Sequence, residues 1–223
     1  MKSELTKLVQ VVALGLALVF TFSCSGEVGD NTLSGCPDAV IGDNTVTCGG
    51  QTYRTVVIGN QIWIAKNLNY DVNGSVCYGN QESNCNIYGR LYNWETAMKV
   101  CPKSWHLPNN AEWDILYRYA DSTSGTSSPY SSPTAGRYLK SENGGWNNDG
   151  NGEDKYDFSA LPGGYGSSDV SFANIGNYGI WWSANEYNSN YAYSRGIYYG
   201  DEAYGIDTYS DKNVLHSVRC IKD

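Results

Sequence analysis

Most of the information about the fold lies in one segment, Cys101-Pro-Lys-Ser-Trp-His-Leu-Pro-Asn-Asn-Ala-Glu-Trp113. Cys101 closes a run of apolar residues at helical spacing, and Pro102 ends that helix. Asn109 and Glu112 then form the pattern of a capping box, which predicts the start of a second helix. A second segment, Ser217-Val-Arg-Cys220, places another cysteine on the last apolar strand. Together they suggest a disulfide between a helical layer and this strand.

The remaining periodicity predicts an α+β fold with two helices and short, mostly antiparallel strands, rich in loops. A two-residue turn, Gly59-Asn60, separates the runs Tyr53–Ile58 and Ile62–Ala65 and predicts a hairpin. Short strands are predicted at Ile180–Ala184, Tyr191–Tyr199 and Val214–Ile221, and a loop at Ser122–Thr134. The apolar stripes of the two helices are Leu91, Trp94, Ala97, Met98 and Cys101 for the first, and Trp113, Leu116, Tyr117 and Ala120 for the second.

The N-terminus has the pattern of an export signal. An apolar run, Val11–Phe20, follows Lys2 and Lys7 and precedes Ser23-Cys24. Because a bilayer span needs about 20 apolar residues, this run predicts a signal peptide over residues 1–23 and not a membrane helix. Cysteine at that position is typical of bacterial lipoproteins, so we expect lipidation at Cys24 and anchoring at the outer membrane or cell surface. The alternative is a secreted protein.

Composition limits the partners. The formal net charge is −8, so nucleic acid is excluded as a partner and contact with membrane is expected through the lipid anchor only. Residues 24–47 are rich in Gly, Asp, Asn and Ser and are predicted to be a tether that carries one small disulfide loop. Residues 48–223 are long enough for one domain with its own core. The oligomeric state does not follow from the sequence.

Seven cysteines leave an even number, six, once Cys24 is acylated. Disulfides persist in an exported chain, and proximity favours two pairs, Cys36–Cys48 and Cys77–Cys85. A zinc site is the competing interpretation. It is weak because the chain has no Cys-x-x-Cys motif and its two histidines lack ligand spacing.

Several segments resemble, in order, the signatures of the Fibrobacter succinogenes major paralogous domain family. Besides the two segments quoted first, they are Gln51-Thr-Tyr-Arg-Thr-Val-Val-Ile-Gly-Asn-Gln-Ile-Trp-Ile-Ala-Lys-Asn-Leu-Asn69, Tyr88-Gly-Arg-Leu-Tyr-Asn-Trp94, Phe158-Ser-Ala-Leu-Pro-Gly-Gly164 and Trp181-Trp-Ser-Ala184. The resemblance implies a C-type-lectin-like scaffold near the formylglycine-generating enzymes, and it pairs Cys101 with Cys220. It implies no known activity.

The sequence does not favour an enzyme. Every cysteine is assigned to a lipid or a disulfide, which leaves no reactive thiolate of the kind that formylglycine-generating enzymes use. The chain has no Gly-x-Ser-x-Gly motif, and neither His106 nor His216 lies in a triad pattern. We therefore predict no catalytic residues.

One loop, Trp146–Asp154, has the alternating oxygen donors of a calcium site. Asn147, Asp149 and Asn151 copy the first half of such a loop, and Asp154 substitutes for part of the missing second half. Calcium is thus the one cofactor that the sequence suggests. The alternative is a solvated turn.

The stretch from Trp181 to Tyr209 has the strongest binding pattern, since aromatic residues alternate there with amides and charges. Rings with polar tips bind with little loss of conformational entropy, and saccharides suit such surfaces. The predicted ligand-binding residues are Trp182, Asn185, Glu186, Tyr187, Tyr191, Tyr193 and Arg195. The alternative is packing, because aromatic residues on strands often face a core.

These patterns predict a non-catalytic, lipid-anchored module for binding or adhesion at the cell surface, with polysaccharide as the expected ligand. Two other functions remain open at this point. One is a structural surface protein that binds other proteins, and the other is an enzyme of the formylglycine-generating branch.

Overall fold

A computed structural model describes residues 35–121, 134–200 and 207–223 of the chain, which contain fourteen strands, four α-helices, one 3₁₀ helix at Tyr78–Asn80 and the loops between them. The helices are α1 (Glu82–Tyr88), α2 (Trp94–Val100), α3 (Asn110–Ala120) and α4 (Ala135–Leu139). The strands are β1 (Val40–Ile41), β2 (Thr45–Cys48), β3 (Gln51–Ile58), β4 (Gln61–Ile64), β5 (Ser75–Val76), β6 (Leu91–Tyr92), β7 (Trp105–His106), β8 (Tyr165–Gly166), β9 (Phe172–Ala173), β10 (Tyr178–Glu186), β11 (Tyr191–Tyr198), β12 (Asp207–Asp211), β13 (His216–Ser217) and β14 (Ile221–Lys222). The predicted α+β class is confirmed.

Helix α3 forms as the sequence predicts. The Asn109 side chain accepts a hydrogen bond from the backbone N–H of Glu112, and the Glu112 carboxylate accepts one from the backbone N–H of Asn109. This capping box pairs two N–H groups that would otherwise lack partners at the start of the helix. The predicted stripe of α3, which ends at Ala120, is buried in full.

Helix α2 is shorter than predicted. Asn93 caps it through a hydrogen bond from the backbone N–H of Thr96, so Leu91 lies before the helix in β6. Met98 is 41% exposed although it fits the helical spacing. Two helices, α1 and α4, were not predicted. Both are short, and α1 buries only Cys85, which gives no apolar periodicity for the sequence to show.

The first sheet has the strand order β1-β2-β3-β4-β14-β7. The predicted hairpin is confirmed, since β3 and β4 pair in antiparallel register with Ile58 opposite Gln61. Gly59 has a φ of 63°, a left-handed conformation that glycine adopts readily. Strand β14 comes last in chain order but lies between β4 and β7.

The second sheet has the order β12-β11-β10-β13-β6-β5, and β8 pairs with β9 in a separate ribbon. Its pairs are antiparallel except β10 with β13, where Trp181 lies opposite Ser217. The sequence predicted strands at the positions of β10 and β11. The predicted strand Val214–Ile221 is instead two short strands, β13 and β14.

Two buried clusters form the core, and adjacent tryptophans of β10 belong to different ones. Successive side chains of a strand point to opposite faces. Trp182 therefore packs in the cluster that contains α2, whereas Trp181 packs in the cluster that contains Trp63 and Trp113. Both tryptophans of β10 are 0% exposed.

Three disulfides join the cysteine pairs that the sequence and the resemblance favoured: Cys36–Cys48, Cys77–Cys85 and Cys101–Cys220. The third pair links the end of α2 to the residue before β14. It closes a separation of 119 residues, by far the longest of the three.

The structure places the described part of the predicted tether within the domain. Cys36 and Val46 belong to a core cluster, and β2 pairs with β3 along its whole length. These residues pack because their apolar side chains and the disulfide face the cluster around α2. The predicted signal peptide, Cys24 and most of the predicted loop Ser122–Thr134 lie outside the described residues. Among the described residues, no helix is long and apolar enough to cross a membrane.

Candidate functional site

Four tyrosines, of which Tyr193 is half-buried and the others are exposed, form a group at one end of the second sheet, which we call the tyrosine cluster: Tyr187, Tyr191, Tyr193 and Tyr209. Tyr187 and Tyr209 stack face to face, with their ring centroids 4.2 Å apart and an angle of 5° between the ring planes. Tyr193 and Tyr191 meet this stacked pair edge-on at centroid distances of 5.6 and 5.9 Å. The exposed fractions of Tyr187, Tyr191 and Tyr209 are 48%, 38% and 53%.

The strand register brings these rings together. Tyr191 and Tyr193 are two residues apart on β11, so they point to the same face of the sheet. Tyr209 of β12 lies directly opposite Tyr193. Tyr187 follows β10, and its backbone N–H donates a hydrogen bond to the carbonyl of Tyr191. Two neighbouring strands, β11 and β12, and the turn after β10 therefore supply the tyrosine cluster.

The turn between β10 and β11 is held by local hydrogen bonds. The Asn188 side chain accepts hydrogen bonds from the backbone N–H groups of Asn190 and Tyr191. Lys212 contacts the same turn, with Nζ 2.6 Å from a carboxylate oxygen of Glu186 and 3.1 Å from the Ser189 carbonyl. These contacts fix the backbone that carries Tyr187 and so hold its exposed ring in place.

Five of the seven predicted ligand-binding residues lie at this end of the sheet. Tyr187, Tyr191 and Tyr193 belong to the tyrosine cluster, and the side chains of Asn185 and Glu186 are exposed. Glu186 lies opposite Ala192 in the register, so it points to the face of the sheet away from Tyr191 and Tyr193. Both polar groups already have partners. The Asn185 side chain accepts a hydrogen bond from the backbone N–H of Asn110, and Glu186 pairs with Lys212.

The structure does not support the other two predicted ligand-binding residues, Trp182 and Arg195. Trp182 is 0% exposed, and its indole N–H donates to the Tyr92 carbonyl at 2.7 Å. Arg195 is 1% exposed and lies 3.4 Å from a carboxylate oxygen of Asp114. Trp182 is buried on the α2 face of the sheet and Arg195 on the opposite face, beside Trp181, so neither side chain is open to a ligand at the surface.

Tyr209 is the residue that the predicted set lacked. It belongs to the same aromatic stretch, but only the pairing of β12 with β11 shows that it stacks on Tyr187. Other aromatic residues of the stretch lie elsewhere. Tyr198, for example, packs against Tyr178 at 4.8 Å. Asp201 and Tyr204 fall outside the described residues.

In the predicted calcium loop, the oxygens of two of the four suggested ligands, Asn151 and Asp154, already accept hydrogen bonds. Asn147 donates to the Asn177 side chain, and Asn151 accepts from the backbone N–H of Trp146. The Asp154 carboxylate accepts from both the backbone N–H and the hydroxyl of Ser159, at 2.7 and 2.6 Å. Asp149 adopts a left-handed turn conformation with a φ of 58°. Calcium would have to displace the hydrogen bonds that shape this turn, and its binding stays a prediction.

Within the described ranges, one group of three His, Cys, Asp or Glu residues brings its donor atoms within 4.8 Å of one another: Cys77, Glu82 and Cys85. Two of its members form a disulfide and offer no thiolate. All six cysteines of the described residues are paired in this way.

His106 lies between two carboxylates. Its Nδ1 is 2.7 Å from Asp223 and its Nε2 is 2.8 Å from Glu112. Burial lowers the pKa of His106, but hydrogen bonds to Asp223 and Glu112 outweigh that effect, so its pKa is raised above the ordinary value. The imidazolium form thus ties α3 to the residue that follows β14.

His216 is the opposite case. It is 3% exposed and packs against Trp182, with ring centroids 4.4 Å apart. Burial lowers its pKa from 6.5 to about 3, against a smaller opposing effect of the Leu215 backbone. His216 is therefore neutral in the folded protein over most of the acidic range.

The lowered pKa of His216 predicts that the folded protein loses stability in acid. Because the pKa of His216 is lowered on folding, its contribution is fully present above pH 6.5 and is lost as the pH falls towards about 3. We expect this residue to make the free energy of unfolding fall by about 1.4 kcal/mol per pH unit below the unfolded pKa. Urea titrations at several pH values measure this slope, and His216→Gln should reduce it.

His106→Gln is the matched control. Since the pKa of His106 is raised, its contribution is fully present below the unfolded pKa and is lost only as the pH rises through the folded pKa. His106→Gln should therefore lower stability in acid without changing the acid slope. An acid slope that is identical in wild type and His216→Gln would contradict the prediction.

A model of the Fibrobacter succinogenes major domain matches residues 56–222 of the chain, from β3 to β14. No curated protein and no solved structure gave a significant match.

Proposed function

The chain belongs to the Fibrobacter succinogenes major domain family, and from this premise we propose that it is a non-catalytic binding module whose tyrosine cluster binds polysaccharide. The observation that carries the proposal is the exposure of Tyr187 and Tyr209 as a stacked pair, with two further rings against it. Exposed apolar surface of this kind costs free energy in water unless a ligand covers it.

The chemistry of the cluster favours sugars over other ligands. The C–H faces of a pyranose ring are apolar and flat, as an aromatic ring is, while its hydroxyls suit amide and carboxylate groups at the edge. Asn185, two residues before Tyr187, provides an exposed amide of this kind. The net charge of −8 disfavours polyanions, and this supports a neutral polysaccharide.

The cysteine pairing supports a non-catalytic role. In the described part of the chain each cysteine lies in a disulfide, so the reactive pair of a formylglycine-generating enzyme has no counterpart there. Lipidation at Cys24 and an outer-membrane or surface location complete the proposal, and both rest on the sequence pattern. The C-type-lectin-like scaffold rests on the resemblance, and mixed sheets with few helices accord with it.

Alanine at Tyr187, Tyr191 or Tyr209 should weaken polysaccharide binding. A stacked ring contributes about 0.5 to 1.5 kcal/mol, so each substitution is expected to lower affinity by about two- to tenfold. Affinity electrophoresis through gels that contain plant or microbial polysaccharides measures this change. Because ring stacking involves no net charge, the affinity should depend only weakly on salt.

Tyr119→Ala is the matched control, since Tyr119 is 49% exposed but lies on α3 outside the cluster. The melting temperatures of all four variants should stay close to that of wild type. If the cluster serves packing, removal of its rings should instead cost about 3 to 5 kcal/mol of stability. Such losses, with no polysaccharide retained by wild type, would overturn the proposal in favour of a structural or protein-binding surface protein.

A further inference from the structure

Tyr187 and Tyr209 are a pair of exposed phenols held face to face. Their ring centroids are 4.2 Å apart and their planes differ by 5°, so the two faces are close and nearly parallel. Their exposed fractions of 48% and 53% leave both rings open to a reagent in solution. Tyr187 lies in the turn after β10, whereas Tyr209 belongs to β12. A covalent bond between the rings would therefore join this turn to β12.

The backbone holds the two rings at this separation. The N–H of Tyr187 donates to the carbonyl of Tyr191 at 2.9 Å, and Tyr209 lies opposite Tyr193 in the pairing of β11 with β12. Two reactive groups that are held together in this way react within one molecule and need no encounter between two molecules. A reaction that joins two phenols is therefore favoured within this pair over one between two copies of the chain.

Other tyrosine pairs of the described residues are less open or less well aligned. Tyr198 packs against Tyr178 and Tyr199 at 4.8 and 4.3 Å, but all three rings are half-buried and their planes are tilted by 35° and 51°. Tyr119 is 49% exposed, but it meets the half-buried Tyr156 at 5.5 Å with an angle of 59° between the planes. Within the described ranges, the stacked pair is thus the one that combines two exposed rings with parallel planes.

We propose that Tyr187 and Tyr209 are a site of oxidative cross-linking, at which a one-electron oxidant of phenols joins the two rings as dityrosine. The oxidant removes one electron from each phenol, and each hydroxyl loses its proton. The unpaired electron of each phenoxyl radical is shared between the oxygen and the ring carbons beside it, so one Cε of each ring forms the new carbon–carbon bond. The hydrogens of these two carbons then move to the oxygens, which restores both phenols. The product is two hydrogen atoms lighter than the two tyrosines.

Treatment of the purified protein with hydrogen peroxide and a haem peroxidase tests the proposal. Hydrogen peroxide takes up the two electrons and the two protons and becomes water. Arg195 lies between Tyr187 and Tyr209, so trypsin separates the two tyrosines unless a bond joins their peptides. Mass spectrometry should find the peptides 156–195 and 196–212 joined and two hydrogen atoms lighter than their sum. No ligand is present in this assay, so its result does not depend on polysaccharide binding.

Phenylalanine variants assign the bond to the stacked pair. Tyr187→Phe and Tyr209→Phe each keep a ring in the stack but remove the phenol, so the joined peptides should be lost. Tyr191→Phe changes a ring that meets Tyr209 edge-on at 5.9 Å, and it should retain them. Tyr198→Phe is the matched control, because Tyr198 contacts Tyr178 across the same two peptides, and it should retain them as well.

Joined peptides that persist in Tyr187→Phe or Tyr209→Phe would refute the proposal, and so would their loss in Tyr198→Phe. Coupling found only between two copies of the chain would contradict it too. N-acetyltyrosine amide in a parallel sample shows that the oxidant couples phenols under the same conditions. If that compound dimerises and the protein yields no joined peptides, the stacked pair is not a cross-linking site.

Discussion

Replacement of Cys101 and Cys220 by serine is expected to lower the free energy of unfolding by about 5 kcal/mol. The two residues are 119 positions apart, and the entropy that a disulfide removes from the unfolded chain grows with the logarithm of the loop length. Since a domain is typically stable by only about 5 to 15 kcal/mol, the double variant should lose a third or more of the stability of the domain. Urea unfolding followed by tryptophan fluorescence measures the change.

The pair Cys77 and Cys85 offers the matched control. Both cysteines are buried like Cys101 and Cys220, but they are only 8 residues apart. The same relation gives about 2.5 kcal/mol for their double serine variant, about half of the first effect. If the two variants lose equal stability, loop entropy is not the cause. If peptide mapping without reduction finds Cys101 or Cys220 as a free thiol, the link between α2 and β14 is refuted.

Arg219→Met should cost about 3 to 5 kcal/mol. The Arg219 side chain is 0% exposed, and its guanidinium donates to the carbonyls of Ile64, Phe158 and Ser159 and to the Asn67 side chain. It also lies over the Phe158 ring, 4.3 Å from the centroid. Methionine fills a similar volume but leaves these buried acceptors without a donor. Chemical denaturation gives the loss directly.

Two further variants separate the causes of this loss. Arg219→Lys keeps the charge, but a single ammonium group cannot reach all the acceptors around the edge of the planar guanidinium, so an intermediate loss is expected. Arg137→Met removes an arginine that is exposed and paired with Glu153, and it should cost no more than about 1 kcal/mol. If Arg219→Met costs no more stability than Arg137→Met, the hydrogen bonds of the buried guanidinium do not stabilise the fold.

The pKa of Arg219 accords with this role. Burial lowers its pKa from 12.5 to about 9, although Asp154 opposes the shift. The guanidinium therefore stays charged at neutral pH and donates hydrogen bonds to the buried carbonyls around it.

Local signals in the sequence predicted the local structure well. The capping box at Asn109 and Glu112 and the Gly59-Asn60 turn depend on residues within a few positions of each other, and both form as predicted. The three disulfides were predicted from the even number of remaining cysteines, from proximity in the sequence and from the family resemblance. Each of these inferences needs no knowledge of how distant segments meet.

The sequence did not allow us to predict interactions between segments that are distant in the chain. Trp182 and Tyr187 are both aromatic residues in one polar stretch, yet the first is buried and the second is 48% exposed. Their difference depends on α2 covering one face of β10, which local alternation does not reveal. Arg219 likewise lies in a segment recognised as a family signature, but its acceptors come from residues 60 or more positions away.

The position of β14 has a consequence for how the domain is made. Ile221 pairs with Trp63 on one side and with His106 on the other, so a strand near the end of the domain lies between two strands that form much earlier in the chain. A nascent chain that still lacks these residues exposes β4 and β7 as unpaired edges, which are prone to associate with other chains. Folding must therefore wait for nearly the whole domain to be synthesised, and a factor that shields the growing chain would act on this interval.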